Sequence, residues 1–209
     1  REMAGMINRW QKMAIEESRL GIPLLLIEEG THGVIFPGAT IYPEGPSLGS
    51  TWNMELIREV YSQAAHEARS VGTHVLNTIV IEPIRDPRLG RNEEAYTEDP
   101  FLSSCIASAI VKGAQGTDLT SPEKAIVSFC HYPGQSQPVS GMERGAMEIS
   151  ERTFREVFLP PWEAGIREGG ALSVMATYPS IDGTPAHGSH WIMTKILREE
   201  LGFEGIVQC

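Results

Sequence analysis

The chain has 209 residues, 41% hydrophobic and 21% charged, which is enough apolar material for one domain with a core and lacks the signature of disorder. A net charge of -10, from 27 acids against 17 bases, argues against a nucleic-acid partner, which needs clustered Lys and Arg, and suits a neutral or cationic small ligand. Cys105, Cys130 and Cys209 show no CxxC spacing, so neither a disulfide framework nor a metal site is expected, and no apolar run reaches the roughly 18 residues of a membrane helix, so no membrane insertion is expected.

The chain opens on Arg1 within a segment of helical periodicity (Met3, Met6, Ile7, Trp10, Met13, Ala14) and closes on Ile206-Val207 without a terminating signal. Both ends read as cut, and a leader upstream stays open. The first apolar run, Pro23 to Ile27, predicts a buried strand, followed by the polar loop Glu28 to Gly33. Next, Gly45-Pro46-Ser47-Leu48-Gly49 fits GxSxG, but Pro43, Gly45 and Pro46 make the preceding stretch a loop, and a nucleophile elbow needs a buried strand there. A serine hydrolase is therefore disfavoured. Met54 to Val71 has helical periodicity, and its His66-Glu67 lacks the second histidine of HExxH.

The second strand is predicted over Val75 to Ile84, and the stretch after it, Arg85 to Pro100, is the densest in charge of the whole chain. A polar loop at the end of a buried strand is where α/β folds place ligand-binding groups. Glu93, Glu94 and Glu98 invite a metal-site reading, yet Arg88 and Arg91 beside them favour internal ion pairing. A helix over Phe101 to Gly116 leads to a third strand, Ala125 to Phe129, and the loop Cys130-His131-Tyr132-Pro133-Gly134. Ser150 and Thr153 supply start chemistry for a helix over Glu151 to Glu168, which Gly169-Gly170 stops. The fourth strand, Leu172 to Thr177, precedes the loop Tyr178 to Gly183, a helix over Trp191 to Leu201 stopped by Gly202, and a last strand, Gly205 to Gln208.

Strand, polar loop and helix in repetition is the pattern of parallel βα units. The choice lies between an open doubly wound sheet and a (β/α)8 barrel. No Gly-rich phosphate loop follows the first strand, which disfavours a nucleotide-binding open sheet. A barrel typically takes about 250 residues, so this chain would hold an incomplete one, cut at both ends. In a barrel the four loops open onto one face, and carboxylates converging there with an arginine suit a polyhydroxylated ligand such as a sugar. For Glu29 and Arg91 the competing reading is a surface salt bridge or a helix cap, and for His131 a core histidine satisfied by backbone.

Five blocks carry a resemblance: residues 19–33, TWNMELIREV (51–60), RDPRLGRNEEAYTEDP (85–100), ISERTFREVFLPPWEAGI (149–166) and residues 181–207. In this order and spacing, they resemble the N-terminal (β/α)8, TIM-like barrel domain of glycoside hydrolase family 3, in its β-glucosidase and β-xylosidase branch, across nearly the whole chain. The resemblance implies one partial barrel domain over 1–209, in a retaining exo-β-glycosidase. Its partners would be a small oligosaccharide or β-glycoside and a C-terminal domain of the same protein, with no cofactor and a secreted or periplasmic location.

It also implies a sugar-holding role for Glu29, three places before the His32-Gly33 pair. Arg91 closes a family Arg-Trp-Gly-Arg pattern, read here as Arg88-Leu89-Gly90-Arg91, and Met175 with Tyr178 matches a pocket-lining Met-x-x-Tyr pair. Where the family has Lys-His, this chain has Cys130-His131, so a fully charged donor is replaced by a weak one. The Pro133-Gly134 that follows is similar to the N-acetylglucosaminidase branch, but Gln135, Ser136 and Gln137 stand where that loop carries its His and Asp. The family nucleophile lies in a Gly-Phe-x-Gly-x-Val-x-Ser-Asp pattern, which here runs from Gly202 to Cys209. The nucleophile is therefore expected immediately after Cys209, the acid/base residue in a following domain, and no catalytic carboxylate within these residues. The alternative is a carbohydrate-binding protein of the same family whose catalytic apparatus has decayed.

Overall fold

Five parallel strands in sequence order form the framework of the computed structural model, which describes residues 2–209. They are β1 (Ile27–Glu29), β2 (Val75–Val80), β3 (Ile126–Tyr132), β4 (Ser173–Ala176) and β7 (Ile206–Gln208); a small antiparallel hairpin, β5 (Ser180–Ile181) with β6 (Thr184–Pro185), stands apart. All of β2 and all but the first residue of β3 are buried, as strands covered on both faces must be, while β1 and β7 form the exposed edges. The register runs Val75 to Ile126, Ser128 to Ser173 and Ser173 to Ile206. Each crossover steps in the same direction and the order never reverses, which is the winding of a barrel and not of a doubly wound sheet. The fold is α/β with a TIM-like arc, and β1 and β7 do not pair with each other.

The helices are α1 (Glu2–Glu17), α2 (Gly45–Gly49), α3 (Met54–Ser70), α4 (Pro100–Ala114), α5 (151–168) and α6 (Trp191–Glu200). In α3 the Asn53 side chain caps the first turn by accepting from Leu56 N, and Ile57, Tyr61, Ala64, Ala65 and Ala68 turn one face inward. Asp99 caps α4 in the same way, with Pro100 at a first-turn position that needs no N–H. Gly113 lets α4 approach α3 closely, since a Cβ there would overlap the backbone of Arg58. Along α5, Pro160 and Pro161 have no N–H to donate, and the turns on either side widen to i, i+5 bonding, with Leu159 N reaching Phe154 O at 2.9 Å and Gly169 N reaching Ala164 O at 3.0 Å. Trp162 of this helix sits edge-on to Phe129 and Tyr132, with centroids 5.9 and 5.2 Å apart, and joins α5 to β3 in the core.

The first strand departs from its predicted bounds. Pro23 to Leu26 precede the ladder: Gln11 of α1 bonds both Leu24 N and Leu24 O at 2.8 Å, His74 Nδ1 accepts from Leu26 N at 3.1 Å, and Leu26 O accepts from His74 N and Val75 N at 2.8 and 3.0 Å. The ladder begins at Ile27, so Glu29 ends β1 instead of lying in the loop after it. Likewise β3 runs on to Tyr132, which puts Cys130 and His131 in the strand itself. The GxSxG segment folds as the short helix α2, with Ser47 exposed.

Candidate functional site

A cavity of about 360 Å3 opens at the carboxyl ends of the strands, and all six residues singled out in the sequence line it: Glu29, Arg91, Cys130, His131, Met175 and Tyr178. They come from four separate βα units, brought together by the sheet order. A larger groove, about 470 Å3, runs past Trp52 and Tyr96 and takes none of the six.

Arg91 stands at the start of the short 3-10 turn Asn92–Glu94 and is held from two sides. Its Nε and Nη2 donate to the Glu94 carboxylate at 2.6 Å each, and its Nη1 donates to Glu143 Oε1 at 2.7 Å. These partners, Glu94 first, raise the guanidinium further above its usual range. The salt-bridge reading of Arg91 thus holds alongside its place in the cavity wall. Glu143, 52 residues away in sequence, had no motif or spacing to reveal it. The turn before Arg91 is set by Asp86, which accepts from Arg88 N and from the Arg88 guanidinium and is held at about 2 by those bonds. Gly90, at φ 76°, then takes the left-handed conformation that swings Arg91 toward the strand ends.

His131 is only 5% exposed, and burial, then Arg91, lowers it to about 4 against the weaker opposing effects of Gln135 and Glu143. Its Nδ1 has no hydrogen-bond partner, so it is not the backbone-satisfied core histidine of the competing reading. Its ring packs against Tyr178 at a centroid distance of 4.8 Å, and Arg144 lies 5.1 Å over the other partner's ring centroid, that of Tyr178. The Cys130 thiol is pushed up by burial and next by Glu29, and makes only a 3.9 Å contact with Ser128 O.

Glu29 is exposed and touches Asn77 Nδ2 at 3.4 Å. Beneath it, the Gln208 amide donates to Asn77 Oδ1 at 2.9 Å, to Ser173 Oγ at 3.4 Å and to Ser128 Oγ, a polar layer across β2, β3, β4 and β7. Barrel interiors are more often filled by branched apolar side chains.

Glu82 also escaped the sequence reading, although it is the sole acid within the apolar run from Val75 to Ile84. Buried at 2% exposure, it accepts from Gly134 N at 2.5 Å, Ser136 N at 3.1 Å, Ser136 Oγ at 2.8 Å and Trp162 Nε1 at 3.3 Å. Burial pushes its carboxyl up and these four donors pull it down. It pins the loop after β3 to the core. On the other side, the Tyr61 hydroxyl bonds to Thr31 O at 2.5 Å and to the Tyr96 hydroxyl, fixing the loop after β1.

No group of three or more His, Cys, Asp or Glu is placed to hold a metal ion among the described residues. Glu67 is occupied by Thr40, whose backbone N and hydroxyl donate to it at 2.8 and 2.7 Å.

The model of the glycosyl hydrolase family 3 N-terminal domain matches residues 1–209. The chain is 39% identical over 197 residues to a β-xylosidase of Formosa agariphila, covering 90% of this chain and 27% of that protein. It is 34% identical over 207 residues to a β-glucosidase of Rhizobium radiobacter, covering 95% and 24%. Among solved structures, a β-glucosidase from Erythrobacter marinus superposes with a TM-score of 0.94 at 33% identity, over 99% of this chain and 28% of the other. A β-glucosidase from Listeria innocua in complex with glucose gives 0.89 at 32%, over 94% and 27%. The chain thus spans about a quarter of the length of these relatives. Family model, sequence identity and superposition agree that the chain belongs to glycosyl hydrolase family 3, as part of its N-terminal domain.

Proposed function

We propose that the protein is a retaining exo-β-glycosidase removing a non-reducing terminal glucose or xylose, and that Glu29, Arg91, Cys130, His131, Met175 and Tyr178 hold that sugar. One observation carries this reading: six residues scattered over 150 positions of sequence, from 29 to 178, line one cavity at the strand ends. A sugar presents C–H faces and hydroxyls; Tyr178 and Met175 suit the first, and the carboxylates, Arg91 and the His131 ring suit the second. At about 360 Å3 the cavity falls at the lower end of small-molecule sites.

In such a mechanism a carboxylate attacks the anomeric carbon, a carboxylic acid protonates the leaving oxygen, and water then releases the sugar with that second residue acting as base. We assign the nucleophile to the position following Cys209. Gln208 pairs with Met175, which sets the end of β7 beside the cavity wall. The acid/base residue is assigned to a C-terminal domain, and residues 1–209 to one barrel domain.

Cys130 favours a second reading, sugar binding without hydrolysis, because its buried thiol supplies no charged donor. Chromogenic β-glucosides and β-xylosides separate the two. The complete gene product is expected to turn over at least one, and Arg91→Ala to lower kcat/KM roughly 10- to 100-fold by removing charge-assisted bonds to the sugar. Sugar binding without turnover of any substrate would establish the second reading.

A further inference from the structure

The inner face of the sheet is layered. Asn77, Ser128 and Ser173 share the hydrogen bonds of the Gln208 amide in one layer. Side chains alternate along a strand, so Cys130, two residues after Ser128, and Met175, two after Ser173, point to that same face one step nearer the strand ends. Val80 pairs with Cys130, and the irregular register between Asn77 and Ile79 brings it to that face as well. Packing agrees: Val80, Cys130 and Met175 cluster with Ile84, Leu89 and Ala95, apart from the main core in which Ile79, Phe129 and Val174 pack with the helices. Val80, Cys130 and Met175 also line the cavity, the first two at only 4% and 5% exposure. Burial raises the Cys130 thiol most, and Glu29, Arg91 and Glu94, all in the same wall, act on it next.

We propose that Val80, Cys130 and Met175 form an apolar floor that selects a deoxy glycone, one carrying hydrogen or methyl in place of a hydroxyl at the carbon resting on it. This rests on reading the cavity as the glycone site. Glu29 and Arg91, elsewhere in the wall, serve the remaining hydroxyls of the ring. A hydroxyl set against the floor gives up water and finds only a protonated thiol and a thioether, both weak partners. A C–H or methyl group in the same place loses no hydrogen bond and buries apolar surface. One hydroxyl left unpaired there lowers affinity about 10-fold.

The test is calorimetric titration of the complete gene product with glucose, 2-deoxyglucose, 3-deoxyglucose, 4-deoxyglucose and 6-deoxyglucose. One deoxy sugar is expected to bind about 10-fold more tightly than glucose, and the others no more tightly than it. Cys130→Ser and Val80→Thr each place a hydroxyl in the floor with little change of shape, and either should narrow that ratio by at least about 3-fold. The ratio, and not the absolute affinity, is the readout, with circular dichroism showing that each variant is folded. Glucose binding at least as tightly as every deoxy sugar, or all the deoxy sugars gaining alike, would overturn the proposal while leaving the sugar site intact. So would an unchanged ratio in whichever variants fold. Folded parent protein that binds none of the five sugars would overturn the underlying site assignment instead.

Discussion

Arg91 and His131 show how a residue's neighbours decide what it can do. The guanidinium is oriented by Glu94 and Glu143 at 2.6 and 2.7 Å, so its free N–H groups face a fixed direction before any ligand arrives. His131 is held neutral by burial, and this has a consequence for stability. Its pKa falls from the ordinary histidine value of 6.5 to about 4 on folding. Between those values the unfolded chain binds a proton that the folded chain refuses. The contribution is therefore fully present above pH 6.5 and is lost as the pH falls toward 4, a change on the order of 3 kcal/mol. His74, lowered by burial and Arg69, adds a slope of the same sign, while Asp86, held at about 2, acts at lower pH. Urea denaturation at several pH values should show a shallower decline in His131→Asn than in the parent, and parallel curves would exclude His131 as the source. Glu29, Arg91 and His131 were legible as polar residues after predicted strands, but charge and position left a salt bridge, a cap or a core histidine open, and the family resemblance supplied their role. Glu143 was not, because an ion pair across 52 residues leaves no local pattern.

Elements hold these residues in place through a few buried contacts. Glu82 ties the loop after β3 to Trp162 of α5, and replacing it with alanine strands four donors in the core. Glu82→Ala is expected to cost at least about 3 kcal/mol, measured from the urea midpoint, with Glu82→Gln intermediate because an amide oxygen can still accept. A loss below about 1 kcal/mol would mean that water replaces the carboxylate. Gly165 lies where α5 meets β3, and an added Cβ would overlap the Phe129 ring. Gly165→Ala should therefore destabilise by about 1–3 kcal/mol or more through overpacking, a prediction that thermal denaturation checks. The helices were readable in the sequence because their caps and apolar faces are local. The first strand was read as Pro23 to Ile27 because its apolar run starts there. Gln11 and His74, distant in sequence, bond the N–H groups of Leu24 and Leu26, and the paired residues are Ile27–Glu29.

At the scale of the molecule, sequential parallel order is what turns four separate loops into one cavity. Periodicity suggested βα units but left open and closed windings unresolved; the resemblance pointed to a barrel, and the sheet order gives an arc of one. The polar layer of Asn77, Ser128, Ser173 and Gln208 beneath the cavity was invisible in sequence, since it exists only once four strands lie side by side. Two grooves compete as sugar sites on this surface, the strand-end cavity and the larger one past Trp52. Methyl and amide NMR of the full chain during a glucose titration decides between them. The account predicts saturable shifts centred on Met175, His131, Arg91 and Tyr178, lost in Arg91→Ala. Shifts centred on Trp52 and Tyr96, or unchanged binding in the variant, would contradict it.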